Sequence, residues 1–271
     1  MNLAGKTALI TGATSGIGNA TARALAAEGV ALAVSGRRGD ALHALTESIA
    51  GTFGTRPVPL PADLAQRGAA GALATQALEA LGRVDILVNA AGDFEPGTQW
   101  TIGDGEVARA LLETNYWSPM ALIQALVPQM RARRTGAVVN MSSLSTVAPL
   151  PLLGHYASAK AALASATTVL RMELRRSGVH VLLVFLGSVD TPLHAKASRL
   201  YGAVLRWMPL GEPERAARVI VTALRRGNRT VSYPRGAAIV RLFPAISASI
   251  SERAIVPTLL ASSVPDPLPI E

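Results

Sequence analysis

The chain has 271 residues, of which 49% are hydrophobic and 16% are charged, and it contains no cysteine. This composition excludes a disordered chain, and the lack of cysteine excludes disulfides and thiolate metal sites. It is also compatible with a reducing cytoplasm, which is the location we expect. The net charge of +8 comes from arginines scattered along predicted helix faces, so we expect no nucleic-acid partner.

Segments with the patterns of strands and helices alternate along most of the chain. Strands are predicted at 6–11, 30–35, 56–60, 84–89, 136–142, 179–185 and 229–233. Helices are predicted at 16–28, 40–50, 64–81, 105–132, 155–176 and 213–226, with a helical insert at 192–210. This alternation is typical of βαβ units, so we predict a single α/β domain over 1–271, with a doubly wound, Rossmann-like parallel sheet. In such sheets ligands bind beyond the carboxyl ends of the strands.

A glycine-rich turn follows the first predicted strand. The stretch TGATSGIG, residues 11–18, lies immediately before a predicted helix. Glycine lets a backbone approach a ligand closely, and a helix N-terminus offers free N–H groups to a pyrophosphate. The turn therefore indicates a dinucleotide site, although such turns also serve plain packing. The candidate residues are Gly12, Thr14, Ser15, Gly16, Ile17 and Gly18.

The second predicted strand ends in SGRR, residues 35–38. A site for NAD usually carries an acidic residue here, which binds the ribose hydroxyls. In this chain Gly36 stands at that position, and Arg37 and Arg38 follow. A guanidinium matches a 2′-phosphate well, so the pattern predicts NADP(H) as the cofactor. The alternative is a surface arginine pair at a helix start.

The stretch HYASAKA, residues 155–161, places Tyr156 and Lys160 four residues apart, on one face of a predicted helix. Tyrosine has a pKa near ~10 and is a poor acid or base at neutral pH. A nearby ammonium stabilises the phenolate, so we expect Lys160 to lower the pKa of Tyr156. Such pairs are common on ordinary helices, and a catalytic role depends on the context.

That context resembles the short-chain dehydrogenase/reductase family. The glycine turn, NAAG at 89–92, Asn115, Ser143 and the Tyr156–Lys160 pair occur in the family's order, and the resemblance spans about residues 4–233. It implies that Tyr156 is the general acid for carbonyl reduction, or the base for alcohol oxidation. It also implies that Ser143 binds the substrate oxygen and that Lys160 binds the nicotinamide ribose. Asn115 would hold a water that relays protons to Lys160.

The resemblance implies further cofactor contacts. Residues 62–64 match the segment that binds the adenine, residues 89–92 match the family's Asn-Asn-Ala-Gly turn with alanine as the second residue, and residues 189–191 match the segment that holds the nicotinamide carboxamide. Family members commonly pair two long helices, so we expect a homodimer or homotetramer. The additional candidates are Asp63, Leu64, Asn89, Ala90, Gly92, Val189 and Thr191.

A helical substrate lid is expected at about 191–212, where family members carry one. Its apolar side chains predict a hydrophobic ketone or aldehyde, or the corresponding secondary alcohol, although they could simply pack the insert onto the core. The apolar lid residues are Leu193, Leu200, Tyr201, Val204, Leu205 and Trp207, and further walls are expected from Phe94, Leu144, Leu150 and Leu153.

The predicted function is an NADPH-dependent oxidoreductase; the alternatives are a 3-oxoacyl thioester reductase and a non-catalytic nicotinamide-binding regulatory protein. The four histidines lack metal-ligand spacing, so we expect no metal. Residues 1–12 show no apolar region of the signal-peptide type and no apolar run reaches the ~18 residues of a membrane span, so we expect neither a signal peptide nor a membrane-spanning helix. The apolar tail at 236–271, interrupted by Pro244 and Pro257, is expected to form a dimer contact or support the lid rather than lie on a membrane.

Overall fold

Seven parallel strands form one sheet in the computed structural model, which describes residues 1–206, 208–234 and 236–255. The strands are Thr7–Ile10 (β1), Ala31–Gly36 (β2), Val58–Pro61 (β3), Ile86–Asn89 (β4), Gly136–Ser143 (β5), Val179–Leu186 (β6) and Thr230–Tyr233 (β7). Their order across the sheet is β3-β2-β1-β4-β5-β6-β7. The winding therefore reverses between β1 and β4, which is the point where ligands bind in such sheets. The predicted doubly wound α/β fold is confirmed.

Helices cover both faces of the sheet. They are Gly16–Ala27 (α1), Gly39–Phe53 (α2), Ala69–Leu81 (α3), Gln99–Ile102 (α4), Glu106–Leu112 (α5), Ser118–Ala132 (α6), Gly154–Glu173 (α7), Pro192–Leu205 (α8), Pro213–Arg226 (α9), Ala237–Leu242 (α10) and Pro244–Ile250 (α11). Buried side chains of α1, α2 and α9 form the core on one face, and those of α3, α6 and α7 form the core on the other. These two layers exclude water from both faces, which is why the strands are almost continuously apolar.

The predicted helix at 105–132 is interrupted. A π-helical turn, Glu113–Trp117, separates α5 from α6. Two local features explain it: the side chain of Asn115 donates to the carbonyl of Leu111, and Pro119 has no N–H to donate to the carbonyl of residue 115. The apolar periodicity is similar on both sides, so the pattern alone did not reveal the break.

The helix predicted at 64–81 begins only at Ala69. Asp63 explains the delay, because its carboxylate accepts a hydrogen bond from the backbone N–H of Ala65 and closes a local turn instead. Gly68, with φ of 87°, then sets the direction of α3. The short helix α4 was not predicted, since four residues give no periodic signal.

The tail forms two short helices, and Pro244 begins the second, as its missing N–H allows. No helix in the described part of the chain is long and apolar enough to cross a membrane. Our expectations for Trp207, the side chain of Val204, and residues 256–271 including Pro257 lie outside the described residues. Five large apolar side chains of α10, α11 and the residue between them are more than half exposed: Ile239, Leu242, Phe243, Ile246 and Ile250.

Candidate active site

A cavity of about 610 Å³ opens beyond the carboxyl ends of β1, β2, β4, β5 and β6. Five of the described residues predicted for the site do not line it: Arg38, Asn89, Asn115, Leu200 and Tyr201. The others lie on its wall: Gly12, Thr14, Ser15, Gly16, Ile17, Gly18, Arg37, Asp63, Leu64, Ala90, Gly92, Phe94, Ser143, Leu144, Leu150, Leu153, Tyr156, Lys160, Val189, Thr191, Leu193 and Leu205.

The glycine turn packs tightly against its own surroundings. A Cβ on Gly12 would lie 2.7 Å from the backbone nitrogen of Ala91, and a Cβ on Gly18 would lie 2.2 Å from the carbonyl oxygen of Gly12. Packing alone therefore requires glycine at both positions. Ser15, the N-cap residue of α1, makes no side-chain hydrogen bond to the helix. The first turn of α1 lines the cavity, so its N–H groups suit an anionic ligand such as a pyrophosphate.

The end of β2 has no room for a side chain at Gly36. A Cβ there would lie 2.7 Å from Cγ2 of Thr14. Arg37 lies at the cavity, its side chain is 66% exposed, and it forms an ion pair of 3.3 Å with Asp93. Arg38 instead donates to the carbonyl oxygen of Thr14 at 3.1 Å. The two arginines thus differ: Arg37 faces the ligand space and Arg38 braces the glycine turn.

Tyr156 and Lys160 lie on the same face of α7, as predicted. The ammonium of Lys160 is 5.9 Å from the centre of the Tyr156 ring. Ser143 ends β5 and forms a hydrogen bond with Tyr156. The Phe94 ring meets the Tyr156 ring edge-on, with centroids 6.1 Å apart. The tertiary fold therefore brings the serine, the tyrosine and the lysine to one wall of the cavity.

Burial dominates the electrostatics of this cluster. It raises the pKa of Tyr156 above 10.0; the Ser143 hydrogen bond acts in the opposite direction, and the Asp93 carboxylate adds to the rise. Burial also lowers the pKa of Lys160 from 10.5 to about 8. The pKa of Tyr156 is thus raised rather than lowered as expected, because desolvation of the phenolate is the largest effect on it.

Asn115 is fully buried in the π-helical turn and supports the cavity from behind. Its amide nitrogen donates to the carbonyls of Asp93 and Leu111, each at 2.9 Å. Its Oδ1 has no hydrogen-bond partner among the described residues. A Cβ on Gly92 would lie 3.1 Å from this oxygen and 3.2 Å from Nζ of Lys160, so both polar atoms border one small space.

Two further predicted cofactor residues have partners of their own within the protein. The amide of Asn89 donates to Oδ1 of Asn140 at 2.8 Å, and Asn140 donates to Thr167 of α7 at 2.8 Å. Asn89 therefore connects β4 to β5 rather than lining the cavity. Asp63 lines the cavity while its carboxylate accepts from the N–H of Ala65 and from the side chain of Gln66.

Sequence reasoning missed three residues at the site. Asp93 pairs with Arg37 and borders Tyr156, Ser145 donates to the hydroxyl of Ser143 at 2.9 Å, and Lys196 of α8 pairs with the turn after β4. Signals existed for two of them, since Asp93 directly follows the NAAG turn and Lys196 is a rare lysine in an arginine-rich chain. Nothing in the local pattern marks Ser145.

The helix α8 forms one wall of the cavity, where the lid was expected. Pro192, Leu193, His194, Ala197 and Leu205 line the cavity. On the inner side, Tyr201 is 1% exposed and packs in one apolar cluster with Phe94 and Leu153. Within the described residues, no three histidine, aspartate or glutamate side chains come together as metal ligands would.

The chain is similar to proteins of one family. A sequence profile for short chain dehydrogenases matches residues 6–201. Dehydrogenase/reductase SDR family member 7B of Bos taurus is 34% identical over 233 residues, which cover 82% of this chain and 71% of the bovine protein. A fatty acyl-CoA reductase of Mycobacterium tuberculosis is 32% identical over 232 residues, covering 83% of this chain and 75% of that protein.

Solved structures agree with the sequence relatives. L-Sorbose reductase from Gluconobacter frateurii, complexed with NADPH and L-sorbose, matches with a TM-score of 0.78 at 29% identity, covering 86% of this chain and 96% of that one. Similar structures hold either NADPH or NAD, so likeness alone does not select the cofactor. The profile match, the identity to relatives and the shared fold together show that this chain belongs to the short-chain dehydrogenase/reductase family of oxidoreductases.

Proposed function

We propose that this protein is an NADP(H)-dependent oxidoreductase that reduces a hydrophobic ketone or aldehyde to an alcohol, or catalyses the reverse reaction. One observation carries the proposal: Ser143, Tyr156 and Lys160 share one wall of a cavity that also includes the glycine turn before α1. The residues fit a dinucleotide. The glycines of the glycine turn line the cavity without side chains that would keep a ligand from the backbone, and the first turn of α1, with its free N–H groups, also lines the cavity. The bound cofactor would supply the hydride.

Tyr156 is proposed as the general acid. Its raised pKa keeps the hydroxyl protonated at neutral pH, which is the state that reduction requires. The hydroxyl would give its proton to the carbonyl oxygen as negative charge develops there. Ser143, hydrogen-bonded to Tyr156, would donate to the same oxygen and hold it in place. In alcohol oxidation the roles reverse, and Tyr156 would accept the proton.

Lys160 and Asn115 are proposed to resupply that proton. Both Nζ of Lys160 and the unpartnered Oδ1 of Asn115 border the space beside Gly92. A buried acceptor without a partner is unfavourable unless a water satisfies it. We therefore assign Oδ1 of Asn115 to a water that hydrogen-bonds to Lys160. Lys160 would also donate to a ribose hydroxyl of the cofactor.

NADP(H) is proposed as the cofactor because of Arg37. The absence of space at Gly36 keeps an acidic side chain away from the ribose, and the Arg37 guanidinium lies at the cavity. The amide of Asn89 connects the strands, so backbone atoms of Ala90 and Gly92 would meet the cofactor instead. Asp63, Leu64, Val189 and Thr191 also line the cavity, which supports their proposed contacts.

The substrate is proposed to be apolar near its carbonyl. Phe94, Leu144, Leu153 and Leu193 line the cavity, and together they present an apolar surface. A second candidate, reduction of an acyl thioester, is favoured by the similarity to the fatty acyl-CoA reductase. In both, Tyr156 would protonate the carbonyl oxygen as the hydride adds; in the thioester reaction the resulting hemithioacetal would then release the thiol and leave an aldehyde. A panel of aliphatic, aromatic and steroid ketones, aldehydes and acyl thioesters, followed by NADPH absorbance, separates them from each other and from a non-catalytic protein.

Tyr156→Phe tests the proposal. The ring and its contact with Phe94 remain, so the fold should survive, and we expect turnover to fall by about 10²–10⁴-fold. NADPH should still quench the protein fluorescence. Tyr116→Phe removes a hydroxyl outside the cavity and is the matched control. Turnover by Tyr156→Phe close to that of the control would refute the assignment.

Arg37→Gln tests the cofactor preference. Loss of the guanidinium should weaken NADPH binding by at least about tenfold, since a charge-assisted contact to phosphate is lost. NADH binding should change less than about twofold. Arg199→Gln, an exposed arginine of α8, is the control. An equal loss for both cofactors would contradict the role in binding the 2′-phosphate.

A cytoplasmic homodimer or homotetramer is also proposed. Val169 and Met172 of α7 are 49% and 69% exposed, and Trp117 before α6 is 55% exposed. Exposed large apolar side chains on neighbouring helices favour a contact between subunits. Light scattering coupled to size exclusion measures the mass; a monomer at micromolar concentration would contradict this part.

A further inference from the structure

We propose that Lys196 is a positioning residue that holds α8 closed over the cavity by pairing with the turn at residues 93–95. The proposal rests on the proposed reductase function for its kinetic consequence, but the contact itself does not. Lys196 is one of three lysines among 26 basic residues, with Lys6 and Lys160. Its ammonium contacts the turn after β4, and apolar side chains of α8 pack on Phe94 beside it.

The contacts of Lys196 all converge on that turn. Its Nζ lies 2.7 Å from Oε2 of Glu95 and 3.7 Å from Oδ1 of Asp93, and it donates to the carbonyl oxygen of Phe94. It also lies 5.0 Å from the centre of the Phe94 ring. A lysine suits this arrangement because its compact ammonium offers donors in three directions, whereas a planar guanidinium would not fit two carboxylates and a carbonyl around one point.

The turn at residues 93–95, which Lys196 contacts, borders Tyr156, the proposed proton donor. Phe94 is 3% exposed and meets the ring of Tyr156 edge-on. The carbonyl of Asp93 accepts from Asn115. The contacts of Lys196 therefore connect α8 to the residues that surround Tyr156. When these contacts form, α8 covers the cavity and Phe94 is held against the Tyr156 ring.

The contact of Lys196 with Glu95, Asp93 and the Phe94 carbonyl, called the latch below, is weak enough to open. The side chain of Lys196 is 36% exposed, and that of Glu95 is 54% exposed, so solvent screens their attraction. Tyr201, further along α8, is anchored differently, because its side chain is buried at 1% exposure and donates to the carbonyl of Pro151. The backbone of α8 is kinked at Tyr201, so the part of the helix that carries Lys196 can move while the buried Tyr201 side chain stays in place.

Lys196→Met tests the latch. Methionine keeps the apolar stem over Phe94 and removes the charge. We expect KM for the carbonyl substrate to rise about three- to tenfold, since a smaller fraction of the protein is closed. The kcat should stay within about twofold, and NADPH binding should not change. Hydrogen exchange of the amides in Pro192–Leu205 should accelerate by a similar factor, because the helix is released more often.

Glu95→Gln removes the charge of the carboxylate that pairs with Lys196. It tests the same contact if Lys196→Met folds poorly. We choose Glu95 rather than Asp93, because Asp93 also pairs with Arg37. If the two side chains act as one pair, the double variant should resemble Lys196→Met alone. Arg199→Gln removes a charge from an exposed side chain of the same helix, and no ion pair joins Arg199 to another described residue, so it is the matched control.

The outcomes separate the latch from the reductase function. Unchanged KM together with unchanged exchange in Lys196→Met and Glu95→Gln would overturn the latch, and so would equal effects in Arg199→Gln. A wild-type protein without turnover on any carbonyl would overturn the proposed function, and the exchange measurement would then decide the latch by itself. A merely structural lysine would lower overall stability without this split between KM and kcat.

Discussion

Replacing Lys160 by methionine removes a buried ammonium from the candidate site. The side chain is 4% exposed, and burial lowers its pKa from 10.5 to about 8. One pKa unit corresponds to ~1.4 kcal/mol, so charging this group disfavours the folded state by about 3 kcal/mol at neutral pH. The hydrogen bond from Nζ to the carbonyl of Met141, at 3.1 Å, offsets about 1–2 kcal/mol. We therefore expect Lys160→Met to be at least as stable as the wild type at pH 7.

The difference in free energy of unfolding between Lys160→Met and the wild type should become smaller as the pH rises. Between pH ~8 and pH ~10.5 the unfolded chain keeps a proton on Lys160 that the folded protein has lost. The free energy of unfolding of the wild type therefore rises with pH through this window, by about 3 kcal/mol in total. Lys160→Met lacks that gain. Its advantage should be largest below pH ~8 and should disappear near pH ~10.5.

Urea unfolding followed by far-ultraviolet circular dichroism, repeated from pH 7 to pH 10.5, measures this difference. Other titrating groups are common to both proteins and cancel. Lys6→Met removes a lysine outside the cavity and serves as the control. Activity should be lost in Lys160→Met although stability is kept, as expected where a site holds an unfavourable charge for function. A variant that is destabilised by more than about 2 kcal/mol at pH 7, or a difference that is flat across the pH range, would refute the reasoning.

Ser145→Ala should lower kcat about three- to tenfold with little change in KM, since one of the hydrogen bonds that orient Ser143 is lost. Steady-state kinetics compared with Ser145→Thr checks this prediction, and equal kcat values for the two variants would count against it. Gly36→Asp should lower the melting temperature and should not create NADH preference, because its Cβ would lie 2.7 Å from Thr14; only the double variant with Thr14→Ser should accept NADH. A single substitution that switches the cofactor contradicts this. Asp85→Asn should cost about 2–4 kcal/mol in urea unfolding, because two arginines lose a carboxylate that is 1% exposed; a loss below about 0.5 kcal/mol would argue against a stabilising network.

Much of the architecture and part of the candidate site could be predicted from local sequence patterns. The apolar runs of β5 and β6 can be buried only in a sheet covered on both faces, and their alternation with helices implies parallel winding. Because parallel strands end at the same edge, the positions of Ser143 and Gly12 in the chain already placed them at one edge of the sheet. The four-residue spacing of Tyr156 and Lys160 is a property of any helix, so their shared face was also predictable.

Contacts between distant segments lay beyond the sequence pattern. The pairing of Lys196 with Glu95 joins residues 101 positions apart, and the side chain of Asn89 turns toward Asn140 rather than the cavity. The upward direction of the Tyr156 pKa was likewise decided by the fold, because desolvation depends on every side chain that packs around a group and not on its neighbours in the chain. The sequence by itself determined the sheet, the helices and the order of the chemical groups. Only the tertiary structure decided which groups are buried and which charges meet, since burial and Coulomb interactions depend on distance in space.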